Sequence, residues 1–122
     1  MKKSEFKTRV DDLLQAEIEG ISWDQKLAIL TQRIVKAEKQ RDFDKAKKGK
    51  PWTDEELRLV LRTAPTVQNC MLLARTFRRG YGSIEQIFRW AAERSTIDRK
   101  RPNHAFVQQI KRIANEVGWR AT

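Results

Sequence analysis

Few side chains in this 122-residue sequence could make or break bonds. His104 is the sole histidine, and no cysteine, serine motif or second histidine stands where it would complete a nucleophilic set with it. It is read as a surface or capping residue at the start of a helix. Cys70 is the sole cysteine, so no intrachain disulfide or cysteine-based zinc site can form. Flanked by apolar residues in mid-helix, it is read as a small core residue. Asp42 and Asp44 have the chemistry to hold a metal for nuclease work, but such sites need carboxylates and a lysine fixed on rigid strands. These two lie in a basic stretch and are read as charge balancing. Gly80-Tyr81-Gly82 lacks the preceding strand and the downstream Lys-Ser/Thr of a phosphate-cradling loop. The chain is therefore expected not to be an enzyme and to hold neither metal nor cofactor.

The chemistry on offer is recognition. Lys and Arg number 26 against 16 Asp and Glu, a net charge of +10, and such a surplus on a short chain attracts polyanions through its long-range field. Double-stranded DNA is the first partner to consider and an anionic membrane surface the second. RNA is a weaker third, since no sheet carrying exposed aromatics is evident. No apolar run approaches the roughly 20 residues needed to cross a bilayer, and the first residues lack a secretory signal pattern. A cytoplasmic protein is expected, nucleoid-associated if bacterial.

A helix from Ser83 to Glu93 carries the residues that would read bases. With Ile84, Ile87, Phe88 and Ala91 turned inward, Glu85, Gln86, Arg89 and Glu93 face outward. Gln pairs bidentately with adenine, Arg with guanine, and Glu accepts from cytosine. Arg75, Arg78, Arg79, Tyr81 and Ser83 precede or open that helix, and Lys47, Lys48 and Lys50 lie in a basic stretch upstream. All eight are candidates for phosphate contact. The plainer reading of the arginines is a solvated helix end that complements the dipole.

The elements that must position these residues are all helical. Nothing alternates with a period of two. Residues 1–38 read as a helical hairpin. Phe6, Val10, Leu13, Leu14 and Ile18 share one face, Gly20 breaks the run, and Ser22 with Gln25 can form a capping box. Trp23, Leu27, Leu30, Ile34 and Ala37 then recur at spacings of four and three. That seam could pack within the chain or pair with a second copy or another protein. Residues 39–51 form a basic linker, open to two roles, a solvated connector or an arm along DNA phosphates.

Residues 52–122 hold three short helices and a fourth. Thr53 and Glu56 make a capping box ahead of Leu57, Val60, Leu61 and Ala64. Thr66 caps a helix with Val67, Cys70, Met71, Ala74 and Phe77 on its apolar face, and Ser83 is expected to cap the third. After a basic loop at Asp98, Arg99, Lys100 and Arg101, Asn103 is expected to cap a last helix. Phe106, Val107, Ile110, Ile113, Ala114 and Val117 line that helix, Gly118 ends it, and Trp119 closes the core edge.

Pro51-Trp52-Thr53-Asp54-Glu55-Glu56-Leu57, Leu73-Ala74-Arg75-Thr76-Phe77 and Gly82-Ser83-Ile84-Glu85-Gln86-Ile87-Phe88-Arg89-Trp90 together resemble the Myb/SANT-like trihelical family over some 40 residues. The Gly-Tyr-Gly turn and the aromatic spacing depart from that family's regular tryptophans. The resemblance implies that Trp52 and Trp90 are core residues and that the third helix reads DNA. Some SANT-like members bind protein instead, a role that Glu85 and Glu93 would suit. The expectation is an all-α, non-enzymatic DNA-binding protein using a helix-turn-helix, either a transcription regulator or the DNA-recognition component of a phage or mobile-element assembly. The rival is a protein-interaction module.

Overall fold

A computed structural model describes residues 1–41, 45–93 and 103–120. It is all-α, with no strand among the described residues. The helices are α1 Lys3–Gln15, α2 Trp23–Gln40, α3 Asp54–Leu61, α4 Val67–Thr76, α5 Tyr81–Ala92 and α6 His104–Val117. Asp42, Asp44 and the basic loop at Asp98 to Arg101 lie outside the described residues. The chain forms two compact units, Met1–Ile34 and Val35–Thr122. Their boundary falls inside α2, upstream of the linker expected at 39–51.

In the first unit α2 begins on a reciprocal cap: the Gln25 N–H donates to Ser22 Oγ at 3.2 Å, and the Ser22 N–H to Gln25 Oε1 at 2.8 Å. Lys26 Nζ donates to the Leu14 and Ala16 carbonyls, which α1 leaves open at its C-terminal end. Little else is covered. No residue of α1 is buried, and its expected apolar stripe is exposed at Phe6, Val10 and Leu13.

The second unit owns the core. Leu57 and Val60 of α3, Ile84 and Ile87 of α5, and Val107, Ile110 and Ile113 of α6 are completely buried, and Cys70 and Ala74 of α4 join them. These positions recur every three or four residues, so each helix turns one stripe inward. Thr53 and Glu56 form the full capping box before α3, and Thr66 caps α4 through the Asn69 N–H. Helix α4 ends in a Schellman turn. The Arg79 N–H reaches the Ala74 carbonyl at 2.8 Å and the Arg78 N–H that of Arg75, which puts Arg78 at φ +56°, in the left-handed region that glycine usually fills. Gly118 takes the same place after α6, where the Trp119 N–H donates to the Ala114 carbonyl. Trp119 then stacks on Phe88 at 6.4 Å between ring centres.

Two expected caps are absent. Helix α5 starts at Tyr81 on Gly80, so Tyr81, Gly82 and Ser83 all belong to its first turn, and the Ser83 N–H is bonded to the Gly80 carbonyl. Gly80 has φ −74° and ψ 152°, ordinary extended backbone in which the helix can begin without a side-chain cap. Asn103 precedes α6 in the left-handed region, where its side chain makes no cap bond. Helix α3 stops at Leu61, which leaves Ala64 exposed beyond it.

Candidate nucleic-acid interface

Helices α4 and α5 pack on each other through a three-residue turn after Phe77, and α6 packs on both α3 and α5. With Ile84, Ile87 and Phe88 committed to the core, the outer face of α5 presents Gly82, Ser83, Glu85, Gln86 and Arg89, while Glu93, expected as the last residue of this helix, lies just past its end in extended backbone. Arg89 is exposed and ties this face together. It donates to Gln86 Oε1 and Glu85 Oε1, both at 3.1 Å, one turn of helix apart from each. Lys39, at the end of α2, also reaches Glu85 at 3.4 Å and lies 5.8 Å from the centre of the Tyr81 ring. Exposed i,i+4 pairs of this kind contribute only tenths of a kcal/mol. Arg89 can therefore exchange Glu85 for another hydrogen-bond partner at small cost.

The phosphate candidates divide sharply. Lys47, Lys48, Lys50 and Arg78 are exposed, and the Lys47 N–H donates to the Arg78 carbonyl at 3.1 Å. That bond brings the basic stretch to the turn ahead of α5. Ser83 is half-buried on α5. Arg79 and Tyr81 are withdrawn from the outer surface, each only 3% exposed, although Arg79 lines the cleft beside α5. The Arg79 guanidinium donates to the Lys50 carbonyl at 2.7 Å and the Pro51 carbonyl at 3.1 Å, with its carbon 3.8 Å from the centre of the Trp52 ring. Burial pulls its pKa below the usual arginine value, and Glu56 at 3.9 Å opposes that shift. Tyr81 is pushed up to about 12, first by burial and then by Cys70 and Glu85. Both are fold residues rather than phosphate contacts.

Arg75 is also committed. It forks onto Glu38, with Nη2 at 2.9 Å from Oε1 and 2.8 Å from Oε2. Glu38 is buried to 3% exposure while Arg75 stays partly in solvent. This pair ties the last turn of α2 to α4 within the second unit. Neither Glu38 nor Lys39 stands out in the sequence. A lone acid among Lys36, Lys39 and Arg41 reads as ordinary charge alternation, and only the fold shows that it faces Arg75.

Beside α5 lies a cleft of about 570 Å³ bounded by Lys50-Pro51-Trp52, by Gly82, Ser83, Gln86 and Trp90 on α5, and by Phe106 and Gln109 on α6. Trp90 is partly buried, edge-on to Phe106 at 5.8 Å, and Trp52 is buried with Phe77 edge-on at 5.5 Å. Gln109 holds the floor by donating to the Trp52 carbonyl at 3.0 Å and to Asp54 at 2.9 Å. Cys70 is buried among α4 and α5 residues, and burial raises its thiol pKa. His104 opens α6 half-buried, with Nδ1 unpartnered among the described residues. Neither borders the outer face of α5.

Fold and surface thus define a small all-α protein whose C-terminal unit carries the core and an open, polar helix face. Residues 46–121 match the family model described as the uncharacterised protein PM1205 C-terminal domain, and the chain belongs to that family. The chain is 42% identical over 118 residues to the protein described as uncharacterized protein PM1205 from Pasteurella multocida (strain Pm70). The match covers 93% of this chain and 94% of that relative, so it extends upstream of the family domain. No solved structure matches the chain. No helix among the described residues is long and apolar enough to cross a membrane.

Proposed function

We propose that this is a non-enzymatic DNA-binding protein in which α4 and α5 act as a helix-turn-helix, with α5 in the major groove. The observation that carries the reading is the outer face of α5. Gln86 and Arg89 lie side by side there, close to a turn joined to the exposed Lys47-Lys48 stretch. A major groove admits one helix, and a Gln–Arg pair supplies donors and acceptors matched to adenine and guanine edges. In this reading Gln86 and Arg89 read bases, with Glu85 on the same face and Glu93 just beyond the helix end. Lys47, Lys48, Lys50 and Arg78 bind phosphates, and Ser83 adds a contact at the helix start. Arg75, Arg79 and Tyr81 hold the frame.

The Myb/SANT-like resemblance supports the same use of α5. A role in transcription regulation, or as the DNA-recognition part of a phage or mobile-element assembly in the cytoplasm, is consistent with this chemistry.

Duplex binding by three variants tests the reading. Gln86→Ala and Arg89→Ala are each expected to relax sequence preference by roughly 1–3 kcal/mol, while Lys47→Ala with Lys48→Ala weakens every sequence alike. Unchanged binding in all three would remove α5 and the basic stretch from the interface.

A further inference from the structure

We propose that residues 1–34 are a self-association element whose partner is a second copy of this chain, paired through the apolar faces of α1 and α2. The first observation is exposure. Phe6 and Leu13 on α1 and Trp23 and Ile34 on α2 are each between 54% and 61% exposed, although each belongs to a regular apolar stripe. Helix α1 has 13 residues and buries none of them. Isolated helices of that length are marginal in water, so one face of α1 needs a cover to remain helical.

The second observation is charge. Residues 1–34 contain six basic residues (Lys2, Lys3, Lys7, Arg9, Lys26, Arg33) and six acidic ones (Glu5, Asp11, Asp12, Glu17, Glu19, Asp24). The whole surplus of +10 is carried by residues 35–122. A neutral element is drawn neither to phosphates nor to an anionic membrane, and its own copy meets it without net repulsion. Spacing points to the same occupant. Trp23, Leu27, Leu30 and Ile34 repeat at intervals of four, three and four, the seam that one helix presents to another.

This inference does not rest on DNA binding, and its test is separate. Sedimentation of the full chain across a micromolar concentration series is expected to give twice the 14.4 kDa of one copy. That mass should persist at high salt, where phosphate contacts weaken. Leu27→Asp with Ile34→Asp is expected to return the mass to that of one chain, as is Phe6→Asp with Leu13→Asp. The thermal transition of the C-terminal unit should stay in place in both pairs, which shows that the fold survives. One-chain mass for the unaltered protein at every concentration, or an assembly that withstands both Asp pairs, overturns the proposal.

Discussion

The two units of this chain solve opposite problems with the same element. In residues 35–122, short helices of eight to 14 residues converge on one core, and the sequence carries a surplus of +10. In residues 1–34 the helices carry equally regular stripes, yet the stripes stay exposed and the charges cancel. Amphipathic periodicity is thus necessary for a core but does not supply one. What differs is whether a unit provides its own opposing face.

The largest expected effect separates the units by stability. Ile87→Ala should cost the C-terminal unit about 2–5 kcal/mol, because the side chain is completely buried and its removal leaves a cavity. Leu13→Ala should move the same transition by less than about 0.5 kcal/mol. Chemical denaturation followed by tryptophan fluorescence checks both, and equal costs would break the distinction.

Within the C-terminal unit, two adjacent arginines sharpen it. Removing Arg79 should cost about 2–4 kcal/mol, since Arg79→Ala leaves two carbonyls without their donor and uncovers Trp52. Arg78→Gly should instead stabilise by about 0.5–1 kcal/mol, because glycine takes φ +56° without the clash of a Cβ. The same change should weaken duplex binding by removing a phosphate contact. A stabilised variant with unaltered binding would show that Arg78 serves only the turn.

The smallest effect concerns acid. Hydrogen bonds from Arg112 and Gln109 lower the Asp54 pKa from 3.8, and the hydrogen bond from Arg58 lowers that of Glu116 from 4.5. Both pairs join α3 to α6. Their contribution is present above the unfolded values and is lost as pH falls through the depressed folded ones. Stability of the C-terminal unit should therefore decline below about pH 4.5. Asp54→Asn with Glu116→Gln should flatten that decline. Screening makes the effect small, and salt should shrink it further.

Much of the fold was legible because it rests on local signals. Thr53 with Glu56, Thr66, Ser22 with Gln25, and Gly118 each act within one helical turn, and each does as its spacing implies. The start of α5 was not legible. Gly80-Tyr81-Gly82 reads as a turn, yet the buried Tyr81 ring draws it into the helix. Among the candidate site residues, Gln86 and Arg89 follow from helical geometry alone. Arg79 does not, because nothing local distinguishes it from Arg78. Its burial depends on carbonyls of Lys50 and Pro51, far away in sequence, and the same long-range dependence hides the Glu38–Arg75 pair.

The central claim is that the C-terminal unit binds duplex DNA through lysine and arginine contacts to phosphate. The salt dependence of duplex affinity for the unaltered chain tests it most directly. With about four phosphates neutralised, by Lys47, Lys48, Lys50 and Arg78, log K against log salt concentration should fall with a slope of roughly −3.6. A slope near zero, or no measurable duplex binding at low salt, would contradict it.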